Sequence, residues 1–449
     1  MRGAQATTTS YKENDEDYVK KILDGVDKYG VRSQSETCMC RVHEQLRKVN
    51  KKAYVPEVVA IGPYHRGKDS LKWMEKQKFR YLYLLLKCSP LSLNQYVEAI
   101  SDLIPTLFES YDDQPAMDKG RLVEMVVVDG CFIVQLVRKF SMPELREEND
   151  PIFKMYWVLS SLQRDLMLFE NQIPFQILCR LFDLIEIPNR YDRLIFLVFK
   201  FFSNLFPGQV SGQWINQISS APRIKHLLEL VHQMWLPPVE MLPSPPPPPP
   251  QPPPPPPPSR PVPRRRFHSA TDLLENGVRF KRLEKANQLS IKFKHGVLWI
   301  PPLIMEERTE SFLRNLMAFE QYSTNHNYLA VTAYVKFLDF LIDSPGDVEV
   351  LTKYGVIDNW QGDSREVHRT FKKINSFITI HSAEYPFAHL YDQLNDYCSQ
   401  SVGGKIARMR RSLFRGSLAL VWLAAVFTLL LSVLVVTTTQ TVYTARTAN

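Results

Sequence analysis

The sequence predicts a mainly α-helical protein with one small β-hairpin, a polyproline insert and a single C-terminal transmembrane helix, on three observations. Residues 417–436, SLALVWLAAVFTLLLSVLVV, run for twenty positions without a charge, Gly or Pro. Upstream of that run, apolar residues recur at helical spacing in several separate blocks. Between Pro237 and Pro263, eighteen of twenty-seven residues are proline, which removes backbone donors and fixes φ, so neither helix nor sheet can form there.

The apolar run reaches about 30 Å at ~1.5 Å per residue, the thickness of a bilayer's hydrocarbon core. Its Leu, Val and Phe residues, at roughly −0.3 to −0.6 kcal/mol each, sum to about −4 to −8 kcal/mol on an insertion scale. The side chains expected to face lipid are Leu418, Leu420, Val421, Trp422, Leu423, Phe427, Leu430, Leu434 and Val436. Lys405, Arg408, Arg410, Arg411 and Arg415 precede the span with no acid among them, whereas only Arg446 follows it. By the positive-inside rule the large N-terminal part is expected in the cytosol, at the plasma membrane or an endomembrane. The first twenty residues lack the pattern of a cleavable secretory signal, and no Asn-x-Ser/Thr acceptor occurs, which agree with that expectation.

The chain has 449 residues, 45% of them hydrophobic, enough to bury a real core. Its net charge of +8 is concentrated at residues 260–266, at 279–294 and beside the span. Such clusters suit an anionic surface, and with an anchor present the surface expected is lipid. No zinc-finger spacing or RNA-recognition signature supports nucleic acid. Six cysteines spread over 360 residues do not make a disulfide framework.

In order, 1–33 is a polar tail expected to be mobile, and 34–236 is the N-terminal part of a helical domain. Within it, 54–67, YVPEVVAIGPYHRG, reads as a packed loop broken by Pro56, Gly62, Pro63 and Gly67. A helix over 71–87 places Leu71, Met74, Lys78, Tyr81, Leu82, Leu85 and Leu86 largely on one face. Residues 122–140 are apolar almost all round, too short and interrupted to span a membrane, and predict a central core helix. A helical stretch over 159–184 should kink at Pro174, and 194–206 is a further core helix.

The polyproline insert, 237–266, is expected to form a stiff spacer. It would also offer a ligand to a partner module that reads proline-rich peptides. The C-terminal part of the domain follows over 267–400. Ser269 should cap a helix beginning SATDLL. Segments 289–294 and 297–300 flank His295-Gly296, the spacing of a tight hairpin, and Pro301-Pro302 stops the second strand. Helices are expected over 311–322 and 330–342, and Asp347 should cap a short helix through Tyr354. A basic juxtamembrane segment (401–416), the span (417–436) and a short tail (437–449) complete the chain. Residues 164–170 and 314–320 agree as Arg-x-Leu-Met-x-Phe-Glu, a single short echo.

Catalytic signatures are missing. There is no nucleophile elbow, no HExxH and, with 17 glycines in all, little to support a phosphate-cradling loop. Cys38, Cys40 and His43 lie close together, but no fourth ligand stands at zinc spacing, so no metal, cofactor or catalytic residue is assigned. His65 sits in a glycine-bounded loop, where a backbone hydrogen bond is the commoner role. Asp129, Asp165, Glu170 and Glu320 lie in apolar surroundings, where each needs a partner, from Arg138, Arg164, Arg314 or helix amides. General acid–base chemistry in a hydrolase or transferase is the alternative use of such groups.

Several ordered motifs resemble the plant family known as domain of unknown function 247. They are IGPYHRG, containing Gly62, Pro63, Tyr64 and His65; VVDGCFIVQL, containing Asp129, Gly130 and Phe132; and DLMLFENQIPFQIL, containing Asp165, Glu170, Asn171, Gln172 and Pro174. SATDLLENGVRFK, RNLMAFEQ with Asn315, Glu320 and Gln321, and the terminal span continue the match. Two positions depart from the family: Phe108-Glu109-Ser110-Tyr111 stands where Arg-x-Cys-Tyr is common, and an aromatic–proline pair before the anchor is replaced by the basic run. The resemblance implies one helical domain with a variable insert and a C-terminal anchor, and implies no catalytic residues. Some grass members are tied to pollen self-incompatibility. The expectation is therefore a non-enzymatic, membrane-anchored interaction or recognition protein, with a surface-displayed self-incompatibility-type determinant as the alternative.

Overall fold

A computed structural model describes residues 20, 39–112, 117–185, 194–205, 224–235, 268–284, 289–323, 329–376, 386–400 and 418–447. The N-terminal tail apart from Lys20, the polyproline insert, Cys38 and the basic flank from Lys405 to Arg415 lie outside them. Two compact units are present. The first holds the described residues up to Phe202 together with 224–231, and the second holds Ser203–Leu205 and those from His232 onward.

In the first unit the helices are α1 (Glu44–Val49), α2 (Lys72–Cys88), α3 (Leu93–Ser101), α4 (Ile104–Glu109), α5 (Lys119–Ser141), α6 (Pro151–Lys154), α7 (Tyr156–Asp165), α8 (Phe175–Asp183) and α9 (Leu194–Phe202). α10 (Leu227–Trp235) begins here, and its last four residues belong to the second unit. α5 is the predicted core helix. Its residues Met125 to Val137 are buried on every side, and α2, α3, α8 and α9 pack around it. Gly130 permits the closest approach, since a Cβ there would collide with Leu181 Cδ1 of α8. α2 turns Met74, Lys78, Tyr81, Leu82 and Leu85 inward, the face expected from the sequence.

The expected kink at Pro174 is replaced by a break. α7 ends at Asp165 and α8 starts at Phe175, with Pro174 as its N-cap residue. The carbonyls freed between the helices find side-chain donors. Gln172 Nε2 donates to Leu166 O (2.8 Å) and Leu168 O (2.9 Å), and Asn171 Nδ2 donates to Asp165 O (2.9 Å). Proline then suits the position before the new helix, where no intrahelical donor is needed.

In the second unit, α11 (Ala270–Glu275) starts at Ser269, whose hydroxyl accepts from Asp272 N as predicted. Strands β1 (Arg279–Arg282), β2 (Lys292–Lys294) and β3 (Val297–Ile300) form a sheet in the order β1-β3-β2, while β4 (Leu303–Met305) pairs with β5 (Ile357–Asn359). The β2–β3 hairpin is antiparallel and turns at His295 (φ 49°) and Gly296 (φ 72°), both left-handed, the conformation a two-residue hairpin loop requires. The parallel pairings β1–β3 and β4–β5 were not predicted. Helices α12 (Thr309–Tyr322), α13 (Ala330–Leu341), α14 (Pro345–Lys353), α15 (Ser364–Ile374) and α16 (Ala388–Gln400) complete the packed part. α14 is capped differently from the expectation. Ser344 is its N-cap, and Asp347 reaches back from the third helical position to close a capping box.

The final helix, α17, runs Leu418–Thr447, past the apolar stretch read from the sequence. The hydroxyls of Thr437, Thr438, Thr439, Thr441 and Thr444 donate to carbonyls three and four residues back, so this polar end keeps its donors satisfied within the helix. Residues Leu423–Thr444 are long and apolar enough to cross a membrane, and none of that stretch is buried in protein. Leu423, Phe427, Leu430, Leu434 and Val436 are all more than half exposed.

Candidate functional site

In the first unit the residues singled out from sequence converge on the loop between Val55 and His65. The loop is buried yet has no sheet or helix to satisfy its backbone, so its hydrogen bonds must come from side chains. Asp165, wholly buried at the end of α7, accepts from the amides of Glu57 (2.9 Å), Val58 (2.7 Å) and Val59 (3.0 Å) and from Arg164 Nη1 (2.8 Å). Burial outweighs the pull of the three amides and Arg164 and leaves this carboxyl raised to about 6. Arg164 also donates to Val55 O and Lys52 O. Next along the loop, Asn171 Oδ1 accepts from Ile61 N (2.7 Å) and its Nδ2 donates to Val59 O (3.0 Å).

Asp129, from the middle of α5, accepts from Gly62 N (2.9 Å) and from Lys78 Nζ (2.7 Å). Asp129 and Lys78 are both inaccessible to solvent, and Lys78 donates as well to Ala60 O. Glu75 lies 2.6 Å from the same ammonium. Gly62 has φ +71°, and a Cβ there would stand 2.5 Å from Gln172 O, so both its conformation and its space exclude a larger residue.

Glu170 forms a third node. It accepts from Val42 N (2.7 Å), pairs with Arg47, and lies 3.4 Å from His65 Nε2. Burial raises the Glu170 pKa, but His65, Arg47 and the Val42 amide outweigh it and hold the carboxyl below its ordinary value. Burial lowers the pKa of His65, whose Nδ1 meets Lys68 Nζ at 2.9 Å. Tyr64 donates to Met39 O and packs edge-on against Tyr111, whose hydroxyl donates to Gln172 O. Gln172 Oε1 accepts from Leu228 N. Phe132 is buried against Tyr81, while Pro63 is half-buried in the loop.

The motif residues of the second unit stand apart from this network. Glu320, at the end of α12, accepts from Val331 N (2.8 Å), Thr332 N (2.8 Å) and Thr332 Oγ1 (2.5 Å), all in the first turn of α13, and from His232 Nε2 (2.7 Å). A carboxylate there meets the unsatisfied amides and positive end of the helix. Asn315 Nδ2 donates to Ser311 O, and Gln321 is exposed. The echo between 164–170 and 314–320 has different backbones, a helix end followed by turns against continuous helix. Both glutamates nevertheless receive an imidazole and a backbone amide.

Of the suggested partners, Arg164 does meet Asp165. Arg314 pairs with Glu310 instead, and Arg138 reaches Gln135. Sequence reasoning missed Lys78 as the partner of Asp129, although a lysine on an otherwise apolar helix face was the available signal. It also missed Arg47, and the Tyr81–Asp150–Lys139 cluster in which Asp150 accepts from both neighbours. His43 Nδ1 caps α1 by accepting from Gln45 N, and among the described residues no group of three or more metal-ligating side chains comes together. A cavity of about 240 Å³ in this unit is lined by Leu84, Ser89, Gln135, Arg138 and Lys139 among others. Asp129, Asp165 and Glu170 do not line it.

These features define a helix-rich protein with a loop held by buried ionic side chains and one exposed apolar helix at its C-terminal end. The chain belongs to the family described as plant protein of unknown function, DUF247, whose model matches residues 39–432. It is similar to UPF0481 protein At3g47200 of Arabidopsis thaliana, 31% identical over 394 residues that cover 84% of this chain and 80% of the relative. It is also similar to the putative UPF0481 protein At3g02645 of the same plant, 21% identical over 426 residues, 73% of this chain and 79% of that one. No solved structure matches it.

Proposed function

We propose that this protein is a non-enzymatic, membrane-anchored interaction protein whose helical part works in the cytosol. The observation that carries the reading is the exposed apolar helix over Leu423–Thr444, which leaves a large apolar surface that water disfavours and lipid accepts. The buried carboxylates support the non-enzymatic part. Asp129, Asp165, Glu170 and Glu320 each receive fixed donors that hold backbone in place, the arrangement of structural clamps. The alternative, a hydrolase or transferase using these groups, would need a carboxylate with a lone pair turned to substrate.

Membrane insertion is tested by alkaline carbonate extraction, in which the full chain should stay in the pellet and a chain ending before Leu418 should not. Topology is tested with engineered glycosylation acceptors. One placed in the polyproline insert should remain unmodified, while one on an extension after Asn449 should be modified. The reverse pattern would replace the cytosolic reading with surface display, as a recognition determinant requires. Proximity labelling from the intact, anchored chain should return protein partners that are lost or reduced when Lys78→Met weakens the hold on the loop; no such difference would count against an interaction role.

A further inference from the structure

The outer face of the three-stranded sheet in the second unit carries a regular array. Arg279 pairs with Val297 and Lys281 with Trp299 across β1–β3, while Lys294 pairs with Val297 and Lys292 with Trp299 across β2–β3. Paired residues point to the same side of a sheet, so the rows read Arg279–Val297–Lys294 and Lys281–Trp299–Lys292. The alternate residues Phe280, Leu298 and Ile300 are buried on the other face. All four cations are exposed, none of them is ion-paired among the described residues, and no acid stands at any of the six positions. Lys281 Nζ lies 4.4 Å from the centre of the Trp299 ring, which confirms the shared face. Beside it, against edge strand β2, opens a shallow and mainly apolar groove in which Leu283, Ile291 and Leu390 lie with Lys292, Lys294 and Trp299.

We infer that this face is a docking surface for anionic phospholipid, a second membrane contact beside the C-terminal helix. Four cations around one Trp match a negatively charged headgroup layer: the lysines and arginine supply attraction, and the indole is a ring that settles at the headgroup level. Chain connection favours lipid over other polyanions. α16 packs on β2 and ends at Gln400, and only residues 401–417 separate it from the apolar helix, a reach of at most about 60 Å fully extended. A bilayer holding α17 therefore stands permanently within range of the sheet, and tethering turns weak charge attraction into an intramolecular event. The inference rests on the anchored reading above and adds to it a lipid preference and an orientation.

The test is lysine footprinting of the full chain in lipid nanodiscs, with acetylation read by mass spectrometry. In discs containing 30% phosphatidylserine, labelling of Lys281, Lys292 and Lys294 should be slower than in pure phosphatidylcholine discs by on the order of fivefold, and 0.5 M salt should restore it. Lys353 and Lys373, exposed elsewhere in the same unit, should label equally in both. Arg279→Glu with Lys281→Glu should abolish the protection of Lys292 and Lys294, unchanged labelling of Lys353 showing that the unit still folds. Equal labelling of the three sheet lysines in both discs would overturn the proposal. So would protection by added RNA in neutral discs without protection by anionic lipid, which would assign the face to nucleic acid. Should the chain fail to enter discs, the anchor reading falls by itself, and the same footprint with anionic liposomes added to the free chain still decides the face.

Discussion

Replacing Lys78 by Met isolates what the buried ion pair contributes. Methionine keeps much of the side-chain length on α2 but removes the ammonium, leaving the Asp129 carboxylate in a site without solvent. Its one remaining hydrogen-bond donor is Gly62 N at 2.9 Å, with the Arg66 guanidinium a looser ionic contact at 3.8 Å, and Ala60 O loses its donor as well. Glu75 Oε1, buried and 2.6 Å from the ammonium, loses that contact as well. Removing one partner of a buried pair costs about 3–5 kcal/mol, because the other charge stays behind uncompensated. For a unit of this size each kcal/mol lowers the melting temperature by about 2–4 °C, so a fall of about 6–20 °C is expected. Thermal unfolding of the full chain in detergent, followed by circular dichroism at pH 7.5, measures it. Adding Asp129→Asn to Lys78→Met should recover part of the loss, since a neutral amide still accepts from Gly62 N without carrying a stranded charge. Arg66→Met, which removes two long contacts, 3.8 Å to Asp129 and 3.9 Å to Glu75, from a partly exposed side chain, should cost less than about 1 kcal/mol. A melting temperature for Lys78→Met within 2 °C of the parent would refute the reasoning, because the pair would then contribute nothing to holding the loop.

Gly62→Ala should lower stability by about 2 kcal/mol or more, combining a left-handed backbone with the close approach to Gln172 O, and a melting curve that does not move would mean the loop sits elsewhere. Gly296→Val should cost about 3 kcal/mol, from strain at φ 72° and from crowding against Tyr397, whose hydroxyl would stand 2.5 Å from the new Cβ; urea titration reads the shift, which should be far smaller for His295→Asn at the neighbouring left-handed position. Glu170 stabilises the fold through a lowered pKa, so its contribution is present above the unfolded value of 4.5 and is lost as pH falls below it; the stability gap between the parent and Glu170→Gln should therefore narrow on titration from pH 6 toward pH 3, and a gap that widened would reverse the assignment.

The features legible in the sequence are those set by neighbours within a few positions. The core helix α5 was visible because its residues are apolar all round over a length short of a membrane span, and Ser269 because a cap hydrogen bond reaches only three residues ahead. The β2–β3 hairpin was legible for the same reason, since His295-Gly296 carries its own turn chemistry. The apolar helix needed only a count of uncharged residues. Misreadings arose where a local pattern admitted two outcomes. Pro174 inside a helical pattern can kink or end a helix, and the break was selected by Asn171 and Gln172, which satisfy the carbonyls that a break exposes. Asp347 beside Ser344 can cap from either position, and the backward-reaching geometry also lets it accept from Thr271 N at the start of α11.

From the amino-acid order alone follow the helical class, the hairpin, the long apolar C-terminal helix and the need of each buried carboxylate for a partner, because periodicity, turn chemistry and the cost of burying charge act without knowledge of the fold. Which partner each carboxylate found was decided only in three dimensions. Asp165 meets amides 106 to 108 residues away, Glu170 meets Val42 across 128, and β1 lies parallel to β3 through a crossover that no local spacing encodes. The six-residue pattern of cations around Trp299 likewise exists only once three strands take their register, since alternation within a strand fixes which residues share a face, but only pairing between strands brings the faces together.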